Sequence, residues 1–197
     1  MLFMKSDTRA FILQTASDLF YEKGYNLTGI NEIIATAGIA KATLYHHFKS
    51  KEALCVAYLE SRDNTLLEAI KDYCKTKKSG NDQLLGILDF LSKFYNSGDF
   101  NGCWCFRTFS EIPQDNQQIT NQIRKGKNSL LDLITQLVKE NKPTLTTANQ
   151  NKLARRIYLL YEGAVSESYL QGAEWPIKEN KNMLKQILQN QAISSKQ

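Results

Sequence analysis

Seven consecutive residues near the N-terminus, Lys41-Ala42-Thr43-Leu44-Tyr45-His46-His47, bring together a cation, two methyl-bearing groups, a phenol and two imidazoles around one leucine. Read as a helix closed by Phe48, the segment turns Leu44 and Phe48 to one side, four residues apart. Ala42, Thr43, Tyr45 and His46 then fan over the opposite arc, with Lys41 and His47 at its flanks. That arc has the chemistry to read base-pair edges. Lys41 can donate to guanine O6 or N7, Ala42 can touch a thymine methyl, and Thr43 can bond a base or a phosphate, while Tyr45 and Lys51 can reach phosphate oxygens. His46 and His47 are adjacent on a helix and diverge by about 100°. This argues against a shared metal and places them near phosphates, where protonation adds a weak pH dependence.

A surface of this kind needs elements to hold it. Thr28 fits an N-cap, its hydroxyl accepting from an amide of the first helical turn. Ile30, Ile33, Ile34 and Ala37 then form one apolar stripe, and Gly38 supplies the left-handed residue that ends a helix. The chain turns through Ile39, expected to be buried, into the second helix. Two short helices around a glycine-containing turn form a helix-turn-helix unit, whose second helix enters the major groove of DNA. Thr28 and Asn31, at the start of the first of these helices, complete the candidate DNA contacts. A preceding helix from Asp7 or Thr8 buries Ile12, Ala16, Leu19 and Phe20 and stops at Gly24. Ser50 caps a following helix, Lys51 to about Thr76, with Leu54, Ala57, Tyr58, Ser61, Thr65, Ala69, Ile70 and Tyr73 inward. At 1.5 Å per residue that helix spans ~40 Å.

Residues 6 to 66 resemble the DNA-binding domain of the TetR family of bacterial transcriptional regulators. The matching residues are Arg9, Ile12, Leu13, Ala16, Leu19 and Phe20, the Gly24-Tyr25 turn, Thr28, Ile33, Ala37-Gly38-Ile39 and Lys41, and above all the run from Thr43 to Leu54, T-L-Y-H-H-F-K-S-K-E-A-L. Two positions depart from the family pattern. Gly29 stands where Ser or Thr is frequent, and Ala40 stands where Ser commonly caps the reading helix. A lost cap typically costs ~1 kcal/mol, and any phosphate contact from position 29 must come from its backbone.

The resemblance implies an all-α protein, with a helix-turn-helix domain over 6–66 and a helical effector-binding and dimerisation domain over 67–191. Composition agrees: 197 residues, 42% hydrophobic and 23% charged, with three prolines and ten glycines, make a helical globular chain. The net charge of +5 is compatible with a polyanionic partner but does not identify one.

Further along, seven aromatics fall between Phe90 and Phe109. A crowded core and a ligand cavity both use such residues. The resemblance, which implies an effector site in this domain, favours a pocket for a small apolar or aromatic molecule. Its expected lining is Tyr58, Ile70, Tyr73, Phe90, Phe94, Trp104, Phe106, Arg107 and Phe109, with Arg107, Glu111 and Asn101 as the polar groups. A helix follows from Asp115 or Asn116 toward Lys139. The next is capped by a Thr147-x-x-Gln150 box, and its middle, Ile157 to Val165, is apolar nearly all round and so must be covered on two sides. Tyr158, Leu159, Tyr161 and Val165 are expected to pack within the domain. Leu153, Ile157, Leu160 and Ala164 are left for a second subunit, joined by Leu184, Ile187 and Leu188 of a last helix starting at Pro176. The resemblance implies an intersubunit four-helix bundle and hence a homodimer on double-stranded operator DNA.

No glycine-rich phosphate loop, nucleophile elbow or zinc-ligand spacing occurs, so neither an enzyme nor a cofactor is expected. Met1–Met4 is too short for a signal core, and no run approaches the ~20 apolar residues that span a bilayer. A cytoplasmic protein with reduced cysteines is expected. Two other readings use the same residues: a thiol-responsive DNA-binding regulator acting through Cys103 and Cys105, and a helical protein-interaction module.

Overall fold

The structure, a computed structural model, describes residues 5–194, all of whose regular elements are helices: α1 (Lys5–Lys23), α2 (Ile30–Ala37), α3 (Lys41–His47), α4 (Lys51–Lys75), α5 (Asn81–Tyr95), α6 (Trp104–Glu111), α7 (Gln117–Asn141), α8 (Thr147–Gln171) and α9 (Trp175–Ser194). No helix among the described residues is long and apolar enough to cross a membrane. Met1–Met4 and the residues beyond Ser194 lie outside the described residues.

The chain forms two compact units. Among the described residues, one comprises 5–64 together with Cys103–Gly126; the other comprises Thr65–Gly102 and 127–194. The sequence places a single boundary at 66–67. It gives no sign that α6 and the start of α7 return to the N-terminal unit, because an excursion of the chain leaves no compositional mark.

In the N-terminal unit Ile12, Ala16 and Phe20 of α1 are buried with Ile33 of α2, Leu44 of α3, Phe48, and Leu54 and Tyr58 of α4. The Phe20 ring lies 5.7 Å from that of Tyr25 and 5.5 Å from that of Tyr58. The Arg9 guanidinium covers the Phe48 ring at 4.8 Å. Ser50 caps α4, its hydroxyl accepting from the Ala53 amide at 3.1 Å.

The inward face of α4 differs from the expected stripe. Ser61 and Thr65 are exposed, and Asp63 is buried instead. Pattern reading assigns a carboxylate to water, but here the Trp104 indole N–H donates to Asp63 Oδ1 at 2.9 Å and the Cys105 thiol lies 3.6 Å from the same oxygen. On α7, Gly126 makes the room: a Cβ there would overlap the Asp63 carboxylate.

In the second unit α9 packs on both α8 and α5. The Thr146 hydroxyl, one residue before the expected Thr147, caps α8 by accepting from the Asn149 amide at 3.3 Å. Ser92 donates to Glu174 at 2.5 Å, and Lys181 pairs with Asp89, tying α9 to α5. With Lys178, Ser92 and Asn96 donating to it, the Glu174 carboxyl has its pKa held down at about 2.

This packing overturns the assignment of the α8 and α9 faces. Leu153, Ile157, Ala164, Leu184 and Leu188 are fully buried inside the chain, while Leu160 and Ile187 are half-buried. Leu159, expected inside, is 67% exposed. Periodicity finds apolar stripes but not which neighbour covers each one.

The fit of Asp63 against Gly126 is tight enough to test. Gly126→Ala should lower stability by about 1–3 kcal/mol, the usual cost of overpacking, seen as a lower urea midpoint in far-UV circular dichroism. An unchanged midpoint would show that the carboxylate is not seated there.

Candidate nucleic-acid interface and effector surfaces

The reading unit is built from two turns of backbone. Gly29, extended and without a side-chain cap, precedes α2, and its carbonyl accepts from the Ile33 amide at 3.1 Å. At the other end Gly38 takes φ 62° and ψ 34°, and its amide and that of Ile39 donate to Ala35 and Ile34 carbonyls, both at 3.2 Å. A side chain at this φ is strained, so glycine suits the position. Ala40 then opens α3 without a side-chain cap.

With Leu44 fully buried and Phe48 nearly so, α3 is fixed about its axis. Lys41, Ala42, Tyr45 and His46 are exposed, and Thr43 and His47 are half-buried. The two imidazole rings meet edge-on, their centroids 5.1 Å apart. Asn31, on α2, is also exposed, whereas Ile39 is half-buried rather than buried.

One expected DNA contact is corrected, and a second has an aromatic neighbour within the chain. Thr28 is fully buried and caps nothing: its hydroxyl lies 2.7 Å from the Gly24 carbonyl and 3.2 Å from that of Leu19, donating back toward the end of α1. It is a brace for the turn and cannot reach DNA. Lys51 lies with its ammonium 4.3 Å from the Tyr25 ring centroid, and burial holds its pKa below the ordinary lysine value. Lys49, which follows α3 and is exposed, is a cation that the motif does not single out. Its adjacency to the reading helix is the one signal of it in the sequence.

The turn between α1 and α2 is held by α6. The Glu111 carboxylate accepts from the Asn26 amide at 2.8 Å, and the Glu111 carbonyl accepts from the Asn26 side-chain amide at 2.6 Å. Gly24, at φ 94°, lies so close that a Cβ there would overlap the same carboxylate. The Arg107 guanidinium donates to the carbonyls of Tyr21 and Glu22 at 3.0 and 3.3 Å and pairs with Glu111 at 3.4 Å. It thereby serves carbonyls that the last turn of α1 leaves without helical partners.

The expected effector pocket is not one cavity. Arg107 and Glu111 are committed to the α1 end, Trp104 and Tyr58 belong to the core of the N-terminal unit, and Ile70 is buried in the other unit. Because α6 is a helix, it turns Trp104 and Thr108 inward and leaves Phe106 68% and Phe109 50% exposed. These two rings line a groove of about 570 Å³ with Ile112 and Pro113 on one side and Gln117, Thr120 and Arg124 of α7 on the other. In the second unit Tyr73, Phe90 and Phe94 line a shallower groove of about 440 Å³, with Tyr73 edge-on to Phe90 at 6.0 Å. Crowding along the sequence was the visible signal, and the distribution of those rings over helix faces was not.

Residues 12–58 match the family model described as bacterial regulatory proteins, tetR family. The DNA-binding segment is of the TetR type. Over 192 residues, covering 95% of this chain and 96% of the relative, it is 24% identical to the HTH-type transcriptional repressor NemR of Escherichia coli K12. A TetR-family transcriptional regulator from Streptomyces coelicolor has a similar fold, with a TM-score of 0.82, 24% identity and coverage of 94% and 96% of the two chains. So does the reduced form of E. coli NemR, with a TM-score of 0.80, 21% identity and coverage of 92% and 97%. The chain is a DNA-binding transcriptional regulator with a helix-turn-helix head.

In this TetR-type head the Glu111 contact orients the reading unit without facing solvent in the way α3 does. Glu111→Ala should therefore weaken operator binding several-fold while leaving the dependence of log K on log salt unchanged, since every phosphate stays neutralised by the same cations. Fluorescence anisotropy at several salt concentrations checks this. Full affinity in the variant would show that the clamp does not position the head.

Proposed function

We propose that the chain is a homodimeric repressor, acting in the cytoplasm, that holds a palindromic operator and releases it when a small apolar or aromatic effector binds. The observation that carries this reading is the solvent-facing arc of α3, with Lys41, Ala42, Tyr45 and His46 exposed over a buried Leu44. Set in a major groove, Lys41 donates to guanine O6 or N7, Ala42 meets a thymine methyl, and Thr43 and Asn31 bond base or phosphate. Tyr45, His46 and His47 lie toward the backbone, and Lys49 takes the phosphate role expected of Lys51. Two copies related by a two-fold axis reach successive grooves, with half-sites ~34–36 Å apart.

The outer strips of α8 and α9 support dimerisation. Leu159 and Leu170 are 67% and 74% exposed on α8, and Met183 is 45% exposed on α9. Gly163 lies between the two leucines in sequence, and a Cβ there would meet nothing within 4 Å, so a partner helix can approach closely. Half-buried Leu160 and Ile187 border these strips.

An effector acts only through different affinities for the operator-bound and released arrangements. To take the bound form from 99% to 1%, it must prefer the released one by about 10⁴-fold, or ~5.5 kcal/mol. A second reading, release by thiol modification, is favoured by one observation. The Cys103 sulfur caps α6, accepting from the Phe106 amide at 3.4 Å, in a half-buried position, while Cys105 is buried. Treatment with diamide separates the two readings: the thiol reading expects wild type to be released and a Cys103→Ser, Cys105→Ser variant to stay bound, and a wild type that diamide leaves on DNA rules it out.

A gel shift against the DNA upstream of the chain's own gene tests the main reading. Retardation of a palindromic fragment is expected, and a helical protein-interaction module would retard none. Lys41→Ala should cost ~1–3 kcal/mol on the operator and relax discrimination between operators. Lys49→Ala should weaken binding to all sequences and reduce the salt slope by about 0.9 for each phosphate no longer neutralised. Leu159→Glu should yield a monomer by light scattering. A dimer of unchanged stability in that variant contradicts the interface.

A further inference from the structure

The α6–α7 groove is the surface whose chemistry the regulator reading leaves unexplained. Phe106 and Phe109, three residues apart on α6, expose their rings into it, and Ile112 and Pro113 continue the apolar floor. Gln117, Thr120 and Arg124 face it from successive turns of α7. Arg124 is the one charged side chain lining the groove. It is exposed and forms no ion pair among the described residues, whereas the neighbouring Lys125 is paired with Glu60 at 2.8 Å.

We propose that the α6–α7 groove binds a small amphipathic anion, with a flat aromatic or acyl body on Phe106 and Phe109 and its carboxylate or sulfonate on Arg124, and that occupancy is felt by the reading head through α6. The volume, about 570 Å³, falls within the range of small-molecule sites. A lone guanidinium beside an apolar floor selects charge of one sign and a planar, bidentate acceptor. The groove of the second unit offers less. Its cation Lys93 lies 5.9 Å from the Tyr73 ring and so already has a π face.

The link to DNA binding lies in the two faces of one helix. Phe106 and Phe109 look into the groove, while Arg107 and Glu111, on the opposite side, hold the end of α1 and the Asn26 amide. A ligand wedged against the exposed rings displaces α6 against those bonds. This regulatory half rests on the operator-binding reading; the site itself does not.

The probe is 1-anilinonaphthalene-8-sulfonate, titrated by fluorescence into the full-length protein, with N-phenyl-1-naphthylamine as the same ring system without the charge. The sulfonate should bind wild type with a Kd at least fivefold below that of the uncharged probe. Phe106→Ala should weaken both probes at least fivefold. Arg124→Gln should weaken only the sulfonate and so erase the difference. All three proteins should have the same circular dichroism, because both side chains are exposed. Equal binding of the sulfonate to wild type and to Arg124→Gln overturns the site, as does protection of Phe106 by a second copy of the chain, seen as probe binding only on dilution to monomer. Saturating sulfonate should also change operator affinity of wild type at least threefold and leave that of Phe106→Ala unmoved; no change in wild type overturns the coupling. If wild type retards no DNA at all, the regulator reading fails, and the titration still decides the site.

Discussion

A carboxylate at the end of one short helix fixes the geometry of the reading head. Glu111 takes the Asn26 amide, fills the space that Gly24 leaves free, and is held in turn by Arg107, whose other donors go to the last carbonyls of α1. The turn entering α2 is thus bonded from outside as well as from within, where the Thr28 hydroxyl lies between the Gly24 and Leu19 carbonyls. Neither α2 nor α3 has a side-chain cap of its own, since Gly29 and Ala40 stand at those positions. Two short helices of eight and seven residues are marginal in isolation. Their orientation depends on the buried Ile33 and Leu44 and on this external brace.

The seat of α6 has the same logic. Trp104 donates to the buried Asp63, and Gly126 is small enough to admit that carboxylate. A polar group in a protein interior is costly unless it is hydrogen-bonded. The indole and the absent Cβ are therefore not interchangeable with other residues of similar size. One face of α6 is consumed by these polar contacts and the other is left apolar and wet. That division makes α6 a natural place for a small molecule to act on the head.

The reading helix was legible in the sequence because its inward residues, Leu44 and Phe48, are four apart and its outward ones are polar. The chain punctuation was legible too, from Gly38 and Ser50. Thr28 misled because a hydroxyl before a helix has two uses, accepting from the next turn or donating to the previous one, and the residue type is the same for both. Lys51 misled because its ammonium had a nearer aromatic partner in Tyr25, brought close only by folding. Asp63 is not legible, since the expected stripe runs through Ser61 and Thr65 and a carboxylate beside it is assigned to water. The aromatic cluster was seen, but the order of rings along a chain cannot say which of them share a helix face. Leu153 and Leu159 exchanged roles for a related reason: both lie on apolar stripes of α8, and only α5 and α9 decide which stripe is covered.

The most direct measurement is amide hydrogen exchange at Asn26 in the native protein. Asn26 is an exposed residue of an irregular turn, where an unbonded amide exchanges at the rate of a free loop. The account predicts that this amide is protected to the level of the α1 core, because the Glu111 carboxylate holds it. Exchange at the free-loop rate, with α1 itself protected, would contradict the claim that α6 braces the reading head.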